Sequence, residues 1–378
     1  MSTATATEPV RRRVLSAGPR GSRRSLLLGL FVAVVVLALG YALPYIVSDS
    51  YTMSLAVQAA LLGMLAVGIG FLARHLGVIS LGHTAFFGGA AYGVGIGVGH
   101  FGWGLTLSVL FGIAVGTAIA LVFGILVVRA SGMGYLMLTL ALSQALYQLC
   151  VQTSFRPLTG AYDGLLINPG SGATFFGMTM TDLENPGLFW PLCWIALMVC
   201  IVVVWLVGRS RFGTVLEGIR ENEERMRFSG YDTFGPRLAA FVLSGFIAAV
   251  GGALFAINAA YVSPDLLGFS QAGDSLIAAM VGGLGTLGGP VLGTALYVWG
   301  ESKLNSGGNL HLYTGIALIV VLIFLPSGIT GTAQRLWRRL GRRPAAKGSR
   351  TATSAVEPAA QAESTVAPSA TVANKGEQ

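Results

Sequence analysis

The sequence predicts an all-α polytopic membrane protein of about ten transmembrane segments, some of them short or broken, with N- and C-termini cytoplasmic. Three observations carry that expectation. The 378 residues are 53% hydrophobic and only 11% charged, where an ordinary soluble domain carries about 25% charged residues. The apolar residues fall in runs long enough to span a bilayer, which takes roughly 20 residues per helix. The cations gather at the two chain ends and in one central run, and the distribution of Arg and Lys sets which loops stay inside. The 53 glycines follow no G-X-Y period, and glycine in apolar runs suits helices that approach closely in lipid.

The first run, Ser25 to about Val47, follows Arg11, Arg12, Arg13, Arg20, Arg23 and Arg24, which hold residues 1–24 in the cytoplasm. SRRSLL at Ser22 to Leu27 loosely resembles a twin-arginine export signal. A cleaved signal has a shorter apolar region of roughly 7–15 residues, so a retained helix is expected. Ser54 to Leu72 returns to Arg74 and His75, Ser80 to Gly99 leads out, Trp103 to Val128 returns to Arg129, and Tyr135 to Val151 leads out again. The segment Gln152 to Gly187 sets Arg156 against Asp163, Asp182 and Glu184, is punctuated by Pro157, Pro169 and Pro186, and reads as an external loop. Leu188 to Val207 comes back to Arg209 and Arg211, and Leu238 to Ala260 leads out to Ser263, Pro264 and Asp265.

Parity decides the remainder. Arg335, Arg338, Arg339, Arg342, Arg343 and Lys347 belong inside, and Leu312 to Leu325 is one crossing that ends at them. Gln271 to Trp299 therefore crosses an even number of times, although it is short for two full spans. Gly282, Gly283, Gly285, Gly288, Gly289 and Pro290 interrupt it. Two short helices meeting at a glycine turn are expected, which membranes tolerate only where irregular backbone is buried in protein or lines a cavity. The membrane domain spans 25–330. The segment 331–378 is basic and then, beyond Pro344, rich in Ala, Thr, Ser, Pro and Glu without apolar periodicity, the composition of a disordered tail.

The central run LEGIRENEERMRFSG, Leu216 to Gly230, lies within the loop Gly208 to Pro236. Thr214 and Glu217 have capping-box spacing, and Gly230 stands where a left-handed residue commonly ends a helix, so one helix is expected over Val215 to Ser229. Glu221 with Arg225 and Glu223 with Arg227 are i, i+4 pairs, each worth roughly 0.2–0.5 kcal/mol in an isolated helix. Val215, Leu216, Ile219 and Met226 form an apolar stripe that must rest on something. The residues alone allow either a solvated loop folded onto the membrane surface or a docking helix for a soluble partner.

Several function classes are excluded. Cys150, Cys193 and Cys200 lack paired metal or redox spacing and read as core packing. Gly283, Gly285 and Gly288 match G-x-G-x-x-G, yet the flanks are membrane-apolar rather than strand and soluble helix, so no nucleotide site is expected. No G-x-x-x-x-G-K-[ST] occurs, so the chain is not its own Walker-type ATPase. The basic residues follow topology rather than nucleic acid. No metal site is expected at His83, which has no carboxylate or second histidine at ligand spacing, and a hydrogen-bonded interhelical role is favoured. Asp274 is read either as a functional intramembrane acid or as a solvated helix cap near the outer end. Gly89, Gly93 and Gly97 share one helix face, as do Gly285, Gly289 and Gly293. These faces serve close helix packing or line a path near mid-membrane.

Ser210 to Ala256, SRFGTVLEGIRENEERMRFSGYDTFGPRLAAFVLSGFIAAVGGALFA, resembles the cytoplasmic loop and following helix of LivM-type branched-chain amino acid ABC transporter permeases. VISLGHTAFFGGAAYG (Val78 to Gly93), SLIAAMVGGLGTLGGPVLGTALY (Ser275 to Tyr297) and IFLPSGITG (Ile323 to Gly331) agree, in the family's order. The resemblance implies a permease without bond chemistry or cofactor, set in membrane lipid. It implies as partners a second LivH-like permease, two cytoplasmic ABC ATPase subunits and an extracytoplasmic solute-binding protein. Leu216, Glu217, Ile219, Arg220, Glu221, Glu224 and Gly230 are then expected to couple to the ATPase. Gly82, His83, Phe86, Gly89, Gly93, Gly283, Gly285 and Gly288 are the candidates for the translocation path, and Gly285→Leu is expected to abolish transport or assembly. Branched-chain amino acids are the expected solute, with urea, amides or other small solutes as alternatives. The competing class is an ion-coupled secondary transporter or channel that needs no ATPase. The basic extension 1–24 and the long tail depart from the family pattern.

Overall fold

The apolar runs become helices in the computed structural model, which describes residues 23–47, 49–168, 174–304, 315–316 and 328–341. In chain order the principal helices are α1 (Arg23–Tyr41), α2 (Ser50–His75), α3 (His83–Gly99), α4 (Leu105–Val127), α5 (Gly132–Val151) and α6 (Pro186–Arg209). They continue as α7 (Arg211–Glu221), α8 (Glu223–Phe228), α9 (Phe234–Ala259), α10 (Phe269–Gly282), α11 (Gly289–Leu304) and α12 (Gly328–Gly341). Six of them (α1 with the turn Leu43–Ile46, α2, α4, α5, α6 and α9) are long and apolar enough to cross a bilayer. With α3, α10 and α11, nine of the ten expected membrane segments have a helical counterpart among the described residues. The tenth, Leu312 to Leu325, falls largely outside them, as do the basic extension before Arg23 and the tail after Gly341. The chain divides into a unit ending at Leu336 and a second beginning at Trp337, of which only the last residues of α12 are described.

The core is organised around α3. A helix apolar on every side is driven to the interior, and α3 is buried at almost every position from His83 to Val98. Its neighbours α4 and α9 approach to backbone contact. A Cβ at Gly93 would sit 2.7 Å from Gly112 Cα on α4, and one at Gly97 would sit 2.9 Å from Ser108 Oγ. On the α9 side, a Cβ at Gly252 would overlap the carbonyl oxygen of Phe87. Phe86, Phe123 and Phe241 interlock edge to face at centroid distances of 5.4–5.8 Å. α2 adds Leu61, Met64, Leu65 and Phe71 to the same core.

The two ends of the helical body match the alternation of the basic residues. At one end, Arg220 of α7 donates to Arg74 O in the last turn of α2, and Arg237 of α9 donates to Ala130 O after α4. At the other, Leu165 and Leu166 pair antiparallel with Val262 and Tyr261, and Asn258 donates to Leu183 O at 3.1 Å. Residues 152–168 and 174–185 thus form a cap, at the end away from Arg74 and Arg220, over the start of the α9–α10 connection.

α10 and α11 are two short helices joined by a glycine turn, as expected from parity. Their 14 and 16 residues reach about 21 and 24 Å, short of a hydrocarbon core of about 30 Å. The turn does not lie beside the middle of α2. A Cβ at Gly70, four residues before Arg74, would lie 2.7 Å from Pro290, and Thr286 hydrogen-bonds Thr330 at 2.7 Å near the start of α12. The turn therefore sits toward the basic end. The far end of α11 brings Lys303 close enough to Asp49, the N-cap of α2, to act on its carboxylate. Asp274 is no helix cap: it stands inside α10 and accepts a hydrogen bond from Tyr297 of α11.

Candidate functional site

The central charged run is two helices, where the sequence suggested one. α7 starts at Arg211, because the Ser210 side chain accepts from Gly213 N at 3.2 Å. Thr214 and Glu217 lie inside the helix and make no capping box; Thr214 Oγ1 instead donates to Ser210 O at 3.4 Å. The break falls at Asn222, whose backbone is extended (φ −162°, ψ 101°) and whose side chain accepts from Arg225 N at 2.8 Å. A short polar side chain that bonds the backbone ahead of it favours a cap over a helix interior. The break separates Glu221 from Arg225, so that pair lies across the junction. Gly230 behaves as expected, ending the element at φ +84° with its N–H donating to Arg227 O at 2.9 Å.

α7 rests on the body through Leu216 and Ile219, both buried, against α6, α2 and α9. Glu217 is half-buried, while Arg220, Glu221 and Glu224 are exposed. Phe228 is 91% exposed and Tyr231 55%, two large aromatics on a polar element. Neither was singled out by the sequence, since an aromatic in a membrane protein gives no signal until its surroundings are known.

The strongest feature of the site is Glu223. Its carboxylate receives Arg227 Nη2 at 2.7 Å and the Thr233 hydroxyl at 3.1 Å. Arg237 Nη1 reaches both of its oxygens, at 2.9 and 2.8 Å. Arg237 Nη2 donates at 2.9 Å to Ala130 O in the α4–α5 connection. The Arg237 side chain is only 8% exposed and that of Glu223 27%. This network joins α8, α9 and the α4–α5 connection in one set of charge-assisted hydrogen bonds, which are shorter and stronger than neutral ones. Burial pushes the Glu223 carboxyl up, but the Arg237 charge and the hydrogen bonds from Arg237 and Thr233 outweigh it, leaving the group below its usual 4.5. A depressed carboxylate stabilises the fold above its unfolded pKa, and loses that contribution as pH falls through the lower folded value. Around neutral pH the network is therefore fully made.

The candidate path residues lie at two places. Gly82 caps α3 against Thr139 of α5, where a Cβ would stand 3.1 Å from Thr139 O. His83 is interhelical and hydrogen-bonded, Nε2 to Ser244 Oγ of α9 at 3.1 Å, as the sequence favoured, and its Nδ1 is buried without a hydrogen-bond partner among the described residues. Phe86, Gly89 and Gly93 are interior, with Gly89 and Gly93 facing Ile119 and Gly112 of α4 in close packing. Gly283 adopts φ +108° in the α10–α11 turn, whereas among the described residues nothing lies within 4 Å of a Cβ at Gly285 or Gly288. The close approaches there belong to Gly282, Gly289 and Gly293. Ser244→Ala leaves the His83 ring with no side-chain partner and is expected to lower stability by about 1–3 kcal/mol, read as an earlier melting transition in detergent.

Among the described residues no cluster of His, Cys, Asp or Glu could hold a metal ion. A groove of 520 Å³ between α1, α6 and the start of α11, lined by Val32, Val36, Trp194, Met198, Trp205 and Val291, is apolar and offers few groups to a polar solute.

A helical body with close-packed glycine helices, a broken pair and an anchored polar element on one face is that of a multi-pass membrane protein. The comparisons agree. The family described as "Branched-chain amino acid transport system / permease component" matches residues 51–326, and the chain belongs to that family. It is 28% identical over 74% of its length to the autoinducer 2 import system permease protein LsrC of Yersinia pseudotuberculosis, covering 78% of that protein. It is 22% identical over 78% of its length to the high-affinity branched-chain amino acid transport system permease protein LivM of Escherichia coli, covering 73% of it. The LivM protein of Salmonella typhimurium is 21% identical over the same shares. No solved structure matches. Family and helices together make this a multi-pass protein of the inner membrane.

Proposed function

We propose that the chain is one half of the membrane part of an ABC importer, driven by separate ATPase subunits that seat on α7 and α8. One observation carries this reading: the polar element presents exposed Phe228 and Tyr231 beside Glu221 and Glu224, while its own Glu223 is tied to α9 through Arg237. Aromatic anchors ringed by charge are what a protein partner's groove takes up. A surface loop with no partner has no need of a buried ion pair to a membrane helix. Leu216 and Ile219 face inward and hold the element in place, so the coupling face consists of Arg220, Glu221, Glu224, Phe228 and Tyr231. In this reading both termini and the Gly208–Pro236 loop are cytoplasmic, and 152–187 is external. A second permease and an extracytoplasmic solute-binding protein complete the assembly.

The solute is proposed to be a branched-chain amino acid, supported by the family's description and the LivM relatives. The LsrC relatives, at somewhat higher identity, favour autoinducer 2 as the second reading. Reconstitution with the ATPases and binding protein tests both levels. ATP-dependent uptake of labelled leucine supports the first reading and uptake of autoinducer 2 the second, while uptake driven by an ion gradient without ATPase overturns the importer assignment.

The coupling face has its own test. Glu221→Lys combined with Glu224→Lys is expected to weaken ATPase association severalfold and to make it more salt-sensitive, because exposed charges are screened within about 10 Å at 0.1 M salt. Membrane insertion and pairing with the second permease stay normal. Pull-down at two salt concentrations reads the result, and unchanged association moves the docking face elsewhere.

A further inference from the structure

α5 carries an arrangement that neither the coupling site nor the glycine contacts use. It is the least apolar of the six membrane-crossing helices, and most of it is not buried. Met133, Met137, Ala141, Gln144 and Gln148 recur at spacings of three and four, and so lie on one face within about a quarter of the helix circumference. Gln152, just past the helix end, continues the same line. Met133 is 77% and Met137 66% exposed. Ala141, Gln148 and Gln152 are exposed too, and Gln144 is half-buried. The opposite face is spent on packing: Thr139 accepts from Leu81 N at 3.3 Å, and Ser143 bonds Thr84 at 3.1 Å and Leu267 O at 3.4 Å. Gln144 Oε1 is buried with no hydrogen-bond partner among the described residues.

Primary amides facing hydrocarbon are costly, because nothing there replaces their bonds to water. A row of glutamines at i, i+4 and i+8, running from near the middle of a membrane helix to its outer-cap end, therefore faces something polar. We propose that Gln144, Gln148 and Gln152 form one wall of the solute path, open at the 152–187 end, with the second permease as the opposite wall. This rests on the importer reading above. Each amide both donates and accepts, so the ladder suits a small solute that carries donors and acceptors together, as an amino acid does. Toward the basic end the ladder gives way to Met133 and Met137, whose flexible thioethers adapt to varied shapes without holding them by hydrogen bonds. A solute is thus gripped in the outer half and passes over a soft apolar surface in the inner half. Gln144 stands at the change from one to the other.

Cysteine scanning of the complete transporter tests this. Cys150, Cys193 and Cys200 are buried and are first replaced by alanine. Gln144→Cys, Gln148→Cys and, as a control 45% exposed but off the stripe, Leu149→Cys are treated with a charged, membrane-impermeant methanethiosulfonate from each face in turn. The expected result is labelling of both glutamine positions at least tenfold faster than Leu149→Cys, slowed by excess leucine. Gln144→Leu is expected to reduce leucine uptake at least tenfold, with the assembly and its ATP hydrolysis intact, and Gln144→Asn to recover part of it. Absence of labelling at both glutamine positions from both faces overturns the proposal, since the stripe is then sealed against lipid or a partner helix. ATP-driven uptake by the unmodified transporter, measured in parallel, separates the two ideas. Uptake without labelling sinks the ladder alone, and labelling without ATP-driven uptake sinks the importer reading while the ladder stands.

Discussion

Glu223→Gln is expected to reduce ATP-driven uptake by tenfold or more while the chain still inserts and the ATPase still binds. The substitution keeps size and one hydrogen-bonding oxygen, yet it leaves Arg237, 8% exposed, without a compensating charge. Breaking a fully buried pair costs about 3–5 kcal/mol; with Glu223 27% exposed, a loss of about 2–3 kcal/mol is the reasonable scale. The functional loss is larger than the stability loss, because Glu223 also carries the connection from α8 to α9 and to Ala130 O. Hydrolysis that continues without transport is the signature of a severed link. Glu223→Arg combined with Arg237→Glu is expected to restore part of the uptake that either change alone removes. If Glu223→Gln transports at the unmodified rate, the pair is only a fold contact.

Gly282→Leu is expected to prevent assembly, whereas Gly285→Leu is expected to be tolerated, in contrast to the expectation from sequence. A Cβ at Gly282 would overlap the Gly289 carbonyl, and the adjacent Gly293 faces Ala278 O and the Gly282 backbone just as closely. α10 and α11 thus meet through bare backbone, and no side chain fits between them without separating the helices. Gly285 lies in the turn with no described residue within 4 Å of a Cβ there and no positive φ. Expression with size-exclusion profile reads the pair of variants: loss of the monodisperse peak for Gly282→Leu alone is the predicted outcome. Equal loss for Gly285→Leu places an unseen neighbour against the turn.

Sequence alone was informative where the physics is local or additive. Apolar runs, the parity of the basic residues and the Gly230 helix end all carry signals within a few residues, and each corresponds to an element of the structure. The break at Asn222 was hidden because Glu and Arg on both sides have good helix propensity and pair at helical spacing, while one capping side chain overrides them. Glu223 was read as half of a local pair with Arg227, which does form. Its second partner, Arg237, stands 14 residues on, beyond any helical periodicity. Among the glycines, spacing identified faces but not neighbours. Spacing put Gly285 on one helix face with Gly289 and Gly293, but Gly285 lies in the turn before α11, and only the latter two lie within the helix–helix contact. The glutamine line of α5 was present in the sequence, and it gains meaning only once the opposite face is seen to be occupied.

The short antiparallel pairing of Leu165 and Leu166 with Val262 and Tyr261 bears on the order of biosynthesis. Tyr261 also donates to Asp163 O across a separation of 98 residues, so this part of the cap cannot close until α6, α7, α8 and α9 have been made and inserted, although the Arg156–Asp163 pair and the 174–179 hairpin need none of them. Closing so long a loop carries an entropic penalty that rises only slowly with length, but the partner strand must exist first. Until α9 emerges, Leu165 and Leu166 lack their partner strand, and the segment around them is expected to be open to proteases. Pulse-chase proteolysis of nascent chains truncated before and after Val262 is expected to show protection of the 152–168 segment in the longer chain alone.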